Sequence, residues 1–378
     1  MTSVVYREHP DYSEYHSRIR SVFPDKTTDV PRVPHIDAAN LASIASAFQL
    51  PLLARHAAET AQDLAEWGHH FPLADSRRFG ALALTTAIHL PTLGRRERAL
   101  AARLNGWIYA FDDLIDGIPP DRSTSGIRTA GRLPDTTIDH LARRCVVALS
   151  SARDRTNVED PDGVVAALVA LVQEIHTYPC APSLAALWRD TFARMLGGIL
   201  RERHLAAELA AGAPPPSPAA YLESARYSIG APHYLATCFI MHGGTDDPHL
   251  PGRLPALTAL ALAAADVARL ANDLRTWVRE EGEGTFNSVK AADATIARLM
   301  PALPGAERRR QALQAIRHLL EDRCARVQAL LSSAGVPNRD AEAGIGRLVA
   351  FIPALYGTAD FHDFGSEAPT GNGIIQDE

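Results

Sequence analysis

The chain of 378 residues contains 46% hydrophobic and 22% charged residues, a globular composition that can bury a large core and excludes an intrinsically disordered protein. Its net charge of −6, with Lys and Arg spread along the sequence, argues against nucleic acid as the main partner. Charged residues interrupt every hydrophobic run before membrane-spanning length, and the N-terminus has no signal-peptide core. We therefore expect a cytoplasmic protein without a membrane partner. Its four cysteines show neither disulfide nor zinc-ligand spacing, which predicts reduced thiols.

Apolar residues recur at intervals of three and four positions through most of the chain, which is the pattern of amphipathic α-helices. Strand-like alternation is nearly absent. In chain order, helices are predicted at 38–69, 76–92, 96–116, 137–153, 161–176, 182–211, 217–242, 254–281, 285–300, 306–334 and 339–359. Since the sequence contains no repeat and no clear internal boundary, we predict one all-α domain over 1–364 and a polar disordered tail at 365–378.

Helix breakers separate these elements. The segments 121–131 and 243–255 are rich in Gly, Pro, Ser and Asp, so both are predicted to be surface loops. A proline-rich stretch ends at Ser217, which is suited to cap the N-terminus of the following helix.

The first candidate site lies at the end of the helix predicted at 96–116, where the sequence reads Phe-Asp-Asp-Leu-Ile-Asp. Residues four apart share one face of an α-helix, so Asp112 and Asp116 converge beside an apolar flank. A carboxylate pair in this position suits Mg2+ that is bound together with substrate phosphate oxygens. Asp113 is rotated by about 100° from Asp112, which favours pairing with a cation or orienting its neighbour. Taken alone, the cluster is equally compatible with an acidic helix end.

The second candidate site lies on the helix predicted at 254–281. Asn272, Thr276 and Glu280 follow one another at intervals of four and combine an amide, a hydroxyl and a carboxylate oxygen on one stripe. All three are hard oxygen ligands of the kind that Mg2+ prefers. A polar stripe facing water is the alternative for this motif alone, but both motifs in one helical chain are unlikely to arise by chance.

Together the two motifs resemble those of bacterial class I terpene synthases, a family that includes diterpene synthases. The first resembles the family's aspartate-rich D-D-x-x-D motif and the second its N-D-x-x-[ST]-x-x-[KR]-E motif. The resemblance implies an all-α, single-domain helical bundle around a central apolar cavity. It also implies three Mg2+ ions bound by both motifs, with these ligands: Asp112, Asp116, Asn272, Thr276 and Glu280.

Other family features are matched in one place and missing in another. In the family, a diphosphate-sensing arginine precedes a helix break with an effector carbonyl, and Arg226 and Gly230 match these two positions. By the same resemblance, Arg279 would contact the substrate diphosphate. Family members also commonly end their last core helix with an Arg-Tyr pair, but 355–364 contains no arginine. An aspartate cannot replace a guanidinium against phosphate, so this contact must be supplied elsewhere or lost.

The resemblance implies an enzyme that ionises a prenyl diphosphate, with Mg2+ and Arg226 neutralising the departing diphosphate. The carbocation would then be folded inside a dry apolar cavity. Core packing is the more common role for any single apolar residue, but those near the motifs are candidates for lining this cavity: Ile108, Tyr109, Phe111, Tyr227, Phe239, Phe351 and Tyr356.

Small residues around the predicted cavity favour a C20 substrate, geranylgeranyl diphosphate or a bicyclic diterpenyl diphosphate, over the C15 farnesyl diphosphate. These residues are Ala231, Ala236, Ala263, Ala264, Ala265 and Ala354. Two rival functions stay open. A chain-elongating prenyltransferase shares the helical framework but should carry a second aspartate-rich motif, and a non-catalytic helical protein would expose both stripes to water. The resemblance is compatible with a homodimer.

Overall fold

The fold is that of a computed structural model, which describes residues 49–71, 73–118, 133–150, 163–243, 250–283, 285–333, 340–359 and 361. Within these ranges the chain forms twelve α-helices and one short 3-10 helix, and no strand. The predicted all-α class is therefore confirmed. The four cysteines lie in the described ranges and none of them forms a disulfide there, in agreement with the expected reduced thiols. The predicted tail at 365–378 and the start of the first predicted helix, 38–48, lie outside the described residues.

The helices are α1 Gln49–Gly68, α2 Phe79–His89, α3 Arg95–Asp116, α4 Asp135–Ser150, α5 Val164–Ile175, α6 Ala181–Ala210, α7 Pro218–Ser228, α8 Ala231–Gly243, α9 Leu250–Glu283, α10 Ser288–Leu299, α11 Gly305–Ser333 and α12 Asp340–Thr358. The 3-10 helix, Ser76–Arg78, precedes α2. Each predicted helix after the first corresponds to one or two of these elements. The agreement arises because a helix that packs against a core needs apolar residues along one side, and this pattern is visible in the sequence.

The prediction of a loop at 243–255 is wrong in its second half, because α9 already begins at Leu250. Leu250, Leu257 and Leu260 are all buried in this first part of the helix. Their burial outweighs the interruption that Pro255 causes inside the helix.

The predicted helix at 217–242 is divided into α7 and α8. Ser217 caps α7 as predicted, since its side chain accepts a hydrogen bond from the backbone N–H of Ala220 at 3.2 Å. At the division Gly230 has a φ of 76°, which side-chain-bearing residues rarely adopt. A Cβ atom there would lie 2.7 Å from Cγ2 of Ile108. The break therefore lies directly against α3, one helical turn before Asp112.

The helix after the break, α8, is the centre of the bundle. Every residue from 232 to 242 is buried, and α8 packs against α3, α5, α6, α7, α9 and α12. A helix that is buried on all sides belongs to the core of a large helical domain.

The longest helix, α9, also lies in the core. Within the described residues it is the one helix long and apolar enough to cross a membrane, over Gly252–Gly282, with a mean hydropathy of 1.5 in its most apolar window. However, 61% of that window is buried inside the protein. Since α9 packs against α7, α8, α10, α11 and α12, it has the surroundings of a core helix.

Candidate active site

The first wall of the candidate site is the C-terminal end of α3. Asp112 is half-buried and Asp116 is exposed, and the helix ends at Gly117, whose left-handed conformation stops it. Burial, together with the charges of Asp116 and Asp113, raises the pKa of Asp112 well above its usual range. The carboxylate of Glu202 also raises this pKa, whereas the Arg78 guanidinium lowers it. This end of α3 therefore carries more negative charge than nearby cations balance.

Asp113 faces a different direction from Asp112 and pairs with a cation, which confirms the prediction for this residue. Its Oδ1 accepts a hydrogen bond from Nη2 of Arg78 at 2.8 Å, and Arg78 is only 2% exposed. The same guanidinium lies 4.7 Å from the ring centroid of Tyr109. Burial raises the pKa of Asp113 to about 6, although Arg78 acts to lower it. Asp113 thus anchors the end of α3 to the turn before α2.

The second wall is the predicted stripe on α9, of which Thr276 and Glu280 are buried and Asn272 is partly buried. The Thr276 hydroxyl donates a hydrogen bond to Oε1 of Glu280 at 2.7 Å. The other carboxylate oxygen, Oε2, accepts one from Nδ2 of Asn287 at 2.8 Å. Asn287 also caps the N-terminus of α10. The start of α10 therefore fixes the orientation of the Glu280 carboxylate.

A buried ion network, which sequence reasoning missed, joins α6, α7 and α9. Nη1 of Arg269 lies 3.2 Å from Oε1 of Glu202, and its Nε lies 2.7 Å from Oδ1 of Asp273. The hydroxyl of Ser228 donates to the same Glu202 oxygen at 2.6 Å. The charges of both Asp116 and Glu280 act on Glu202, so this carboxylate lies within electrostatic reach of both walls.

The network concentrates negative charge around one guanidinium. Burial raises the pKa of Glu202, and it raises the pKa of Asp273 to about 7, in each case against the lowering effect of Arg269. Burial alone would lower the pKa of Arg269, but Asp273 and Glu202 raise it well above its usual range. The space between the walls is therefore suited to additional cations.

The donor atoms of both walls fit a hard divalent cation. They are carboxylate, amide and hydroxyl oxygens, which suit Mg2+, and no thiolate or imidazole belongs to the two motifs. Among the described residues, no group of three or more His, Cys, Asp or Glu side chains is arranged to hold a metal by itself. This agrees with an ion that takes one or two carboxylates and completes its shell with water and substrate phosphate.

The candidate sensor Arg226 contacts α9 at some distance from the motif. Its Nε lies 3.0 Å from Oδ1 of Asp266, and its Nη2 donates to Oδ2 at 3.2 Å. Asp266 is buried and also lies 3.5 Å from Nε of Arg323. The side-chain contacts described for Arg226 thus involve Asp266 and the carbonyl of Leu222, not the two walls. Its role as a sensor stays a prediction, as does that of Arg279, which is exposed.

The candidate effector Gly230 lies at a true helix break, but its carbonyl is not free. The oxygen accepts a hydrogen bond from the backbone N–H of Tyr234 at 3.0 Å, as the first bond of α8. The break therefore does not leave this carbonyl without a hydrogen bond, and its role as the effector stays a prediction. A carbonyl oxygen has two lone pairs, so Gly230 retains the capacity to face a cation.

Three of the cavity candidates lie close to the first wall. Ile108 faces the break at Gly230, and Tyr109 lies beneath the Arg78 guanidinium. Phe361 packs against both Tyr109, at 5.1 Å between ring centroids, and Tyr356, at 5.8 Å. The C-terminal segment that lacks the family's arginine therefore still reaches α3 through aromatic contacts.

The other candidates lie in different surroundings. Phe111 stacks on Trp107 at 5.2 Å in the hydrophobic core, and Phe239 is buried in α8. Phe351 is partly buried and packs against the same core. Tyr227 is partly exposed and its ring centroid lies 5.4 Å from the guanidinium carbon of Arg194. The cavity role of each of these residues stays a prediction.

Residues 103–326, which span α3 to α11 and include both motifs, match the family model described as terpene synthase family 2, C-terminal metal binding. The chain belongs to this family. Its members are terpene synthases, so the protein is an enzyme that acts on a prenyl diphosphate and uses a divalent metal.

Individual relatives agree with this assignment. The ent-pimara-9(11),15-diene synthase of Streptomyces sp. (strain KO-3988) is 30% identical over 248 residues, which cover 64% of this chain and 76% of the relative. The structure of linalool/nerolidol synthase from Streptomyces clavuligerus superposes with a TM-score of 0.57 at 18% identity, covering 82% of this chain and 96% of that one. Hedycaryol synthase gives a TM-score of 0.53 at 17% identity over 80% and 92% of the two chains. These structures confirm the class I terpene synthase fold.

Proposed function

We propose that the protein is a Mg2+-dependent diterpene synthase. It releases diphosphate from geranylgeranyl diphosphate or a bicyclic diterpenyl diphosphate and cyclises or rearranges the resulting carbocation. The observation that carries this proposal is the pair of oxygen-donor walls on α3 and α9, within electrostatic reach of the partly buried Glu202. The C20 substrate is supported by the small residues predicted around the cavity and by the relative that is named for a pimaradiene, a C20 hydrocarbon.

The proposed ligands of Mg2+, of which we expect three ions, are Asp112, Asp116, Asn272, Thr276 and Glu280. When bound, the ions would neutralise charge that develops on the leaving diphosphate. The protein's own part is to hold the oxygen donors ready. Asn287 and Thr276 orient the Glu280 carboxylate by hydrogen bonds of 2.8 and 2.7 Å. Such supporting hydrogen bonds fix the direction of a ligand, and they favour the ionised carboxylate that binds a metal.

After ionisation, the apolar interior must fold the carbocation and exclude water. Ile108 packs against the helix break at Gly230, so an apolar side chain and a backbone turn meet one helical turn from Asp112. Tyr109 and Tyr356 offer π-faces near the same end of α3, where they would stabilise positive charge. Arg226 is the proposed diphosphate sensor and Arg279 a further diphosphate contact, by their match to the family motifs.

Two alternatives are weaker. A chain-elongating prenyltransferase should carry aspartates on the second wall, where Asn272, Thr276 and Glu280 stand instead. A C15 substrate would agree with some of the solved neighbours, but at 17–18% identity these show the fold and not the substrate. A homodimer is part of the proposal on family resemblance alone, and a cytoplasmic location is part of it on the sequence pattern.

The proposal is tested with purified protein and prenyl diphosphates of C10, C15 and C20 length, including a bicyclic C20 diphosphate, with and without Mg2+. We expect Mg2+-dependent release of diphosphate and a cyclic C20 hydrocarbon or alcohol by gas chromatography and mass spectrometry. Turnover of farnesyl diphosphate alone would refute the C20 assignment. An elongated diphosphate product would identify a prenyltransferase.

The two walls are tested by Asp112→Ala and Glu280→Ala, which should each abolish diphosphate release while far-UV circular dichroism shows unchanged helical content. Glu281→Ala is the matched control, because this neighbouring glutamate is exposed and pairs with Arg309. Near-normal turnover by either wall variant would remove that wall from the site. Arg226→Ala should slow ionisation, and unaltered kinetics would end its assignment as the sensor.

A further inference from the structure

A single turn of α6 contacts both walls of the candidate site. The buried network described above links Glu202 to α9 through Arg269 and to α7 through Ser228. The next residue, Arg203, points towards the other wall, and its side chain is only 10% exposed. Neither residue belongs to the two sequence motifs.

The Arg203 guanidinium makes three hydrogen bonds. Nη1 donates to the backbone carbonyl of Ile115 at 2.7 Å, and Nη2 donates to the carbonyl of Leu133 at 2.6 Å. Nε donates to Oδ1 of Asp135 at 2.7 Å. One side chain therefore ties the last turn of α3 to the start of α4, on either side of the connection between these helices.

The bond to Ile115 is the important one for the site. The last four carbonyls of a helix lack intrahelical partners and carry partial negative charge, and Ile115 is among them in α3. This residue lies three positions after Asp112 and one before Asp116. A guanidinium at this carbonyl satisfies an otherwise orphaned acceptor, and it holds the turn on which both aspartates stand.

We propose that Arg203 is a positioning residue that fixes the aspartate-bearing end of α3 relative to α9, and thereby sets the affinity for the divalent ion. This inference rests on the proposed function of the same site. Because α6 grips α9 through Glu202 and α3 through Arg203, it sets the separation of the walls. Without the guanidinium, the last turn of α3 keeps the contact between Asp113 and Arg78 but loses its tie to α6, so its carboxylates no longer meet the ion at a fixed distance from Glu280.

Supporting contacts of this kind typically change metal affinity by about 10–100-fold when they are removed. Arg203→Met should therefore raise the Mg2+ concentration for half-maximal diphosphate release by roughly that factor. Saturating Mg2+ should restore most of kcat, since Arg203 itself touches neither substrate nor metal. Arg203→Lys, which keeps the charge but fewer donors, should show a smaller increase. Arg201→Met is the matched control, because Arg201 lies on the same helix and pairs with the exposed Glu208.

A direct binding measurement separates this role from general destabilisation. Mn2+ is titrated into each variant in the presence of inorganic diphosphate, and free Mn2+ is counted by electron paramagnetic resonance. We expect a weaker Kd for Arg203→Met than for wild type and Arg201→Met at equal far-UV circular dichroism. A folded Arg203→Met with the wild-type Kd overturns the inference. If that variant does not fold, Arg203→Lys decides, and a wild-type Kd for it overturns the inference equally. Failure of the proposed function is distinguishable, because it would show as wild-type protein without diphosphate release.

Discussion

Replacing Arg269 by methionine should destabilise the protein strongly, because the change leaves a fully buried and a partly buried carboxylate without their cation. Arg269 is 6% exposed and contacts Glu202 and Asp273, of which Asp273 is fully buried. Methionine retains an unbranched apolar stem of similar course, so the substitution chiefly removes charge and hydrogen bonds.

The expected magnitude follows from burial. Removing one partner of a buried ion pair costs about 3–5 kcal/mol, because the remaining charge is uncompensated. An exposed pair contributes only about 0–1 kcal/mol. Arg95→Met is a suitable control, since Arg95 is half exposed and pairs with Asp63 at 2.7 Å. We therefore expect Arg269→Met to lower the free energy of unfolding by roughly 3 kcal/mol more than Arg95→Met.

A second substitution tests the physical reason. If the cost comes from stranded charge, Glu202→Gln in the Arg269→Met background should recover part of the stability, with a coupling of about 1–3 kcal/mol. The assay is equilibrium urea unfolding followed by far-UV circular dichroism and tryptophan fluorescence, with coincident transitions required. Equal losses for Arg269→Met and Arg95→Met would refute the argument. So would a double variant that is less stable than Arg269→Met.

Two further predictions concern the central helix and are measured by the same unfolding assay. Gly230→Ala should lower the free energy of unfolding by about 1–3 kcal/mol, because alanine is strained at a φ of 76° and its Cβ would meet Ile108 at 2.7 Å; wild-type stability would contradict this. Burial lowers the pKa of His233 to about 3, compared with 6.5 in the unfolded chain. Above pH 6.5 the ring is neutral in both states, but as the pH falls from 6.5 towards 3 the unfolded chain binds a proton that the folded protein does not, so the free energy of unfolding decreases. The loss is on the order of 5 kcal/mol, and His233→Phe should flatten the acid limb of the urea midpoint against pH, whereas parallel profiles would contradict the assignment.

The helices could be predicted from the sequence because the apolar residues along one side of each helix are the ones that become buried. The break at Gly230 and the cap at Ser217 were also predictable, since both depend on local backbone chemistry. The segment 243–255 was not, because Gly and Pro report local preference while the burial of Leu250 and Leu257 depends on the rest of the fold. Local signals fail where tertiary packing opposes them.

The two candidate metal motifs could be recognised in the sequence for a chemical reason. A divalent ion requires hard oxygen donors, and helical geometry requires them at intervals of four, so residue type and spacing are visible together. Glu202 offers no such signal, because it lies in a charged stretch of α6 that resembles an exposed helix face. The nearest local hint is Gly198, four residues earlier, where a Cβ would lie 2.8 Å from the backbone nitrogen of Ser228. Because α6 and α7 cross so closely at Gly198, the next turn of α6, which carries Glu202, also lies against the interior.

The side chains that support the candidate site come from several parts of the chain, because any helix that packs nearby can provide them. Arg78 reaches Asp113 from the turn before α2, while Arg203 reaches the same end of α3 from α6. The C-terminal segment follows the same logic. Phe361 packs against Tyr109 through an aromatic contact, and the sequence 355–364 contains no arginine that could contact a diphosphate. The oxygen donors suited to a metal lie in two short segments of the sequence. The charged side chains that hold these segments in place come from other parts of the chain that pack nearby.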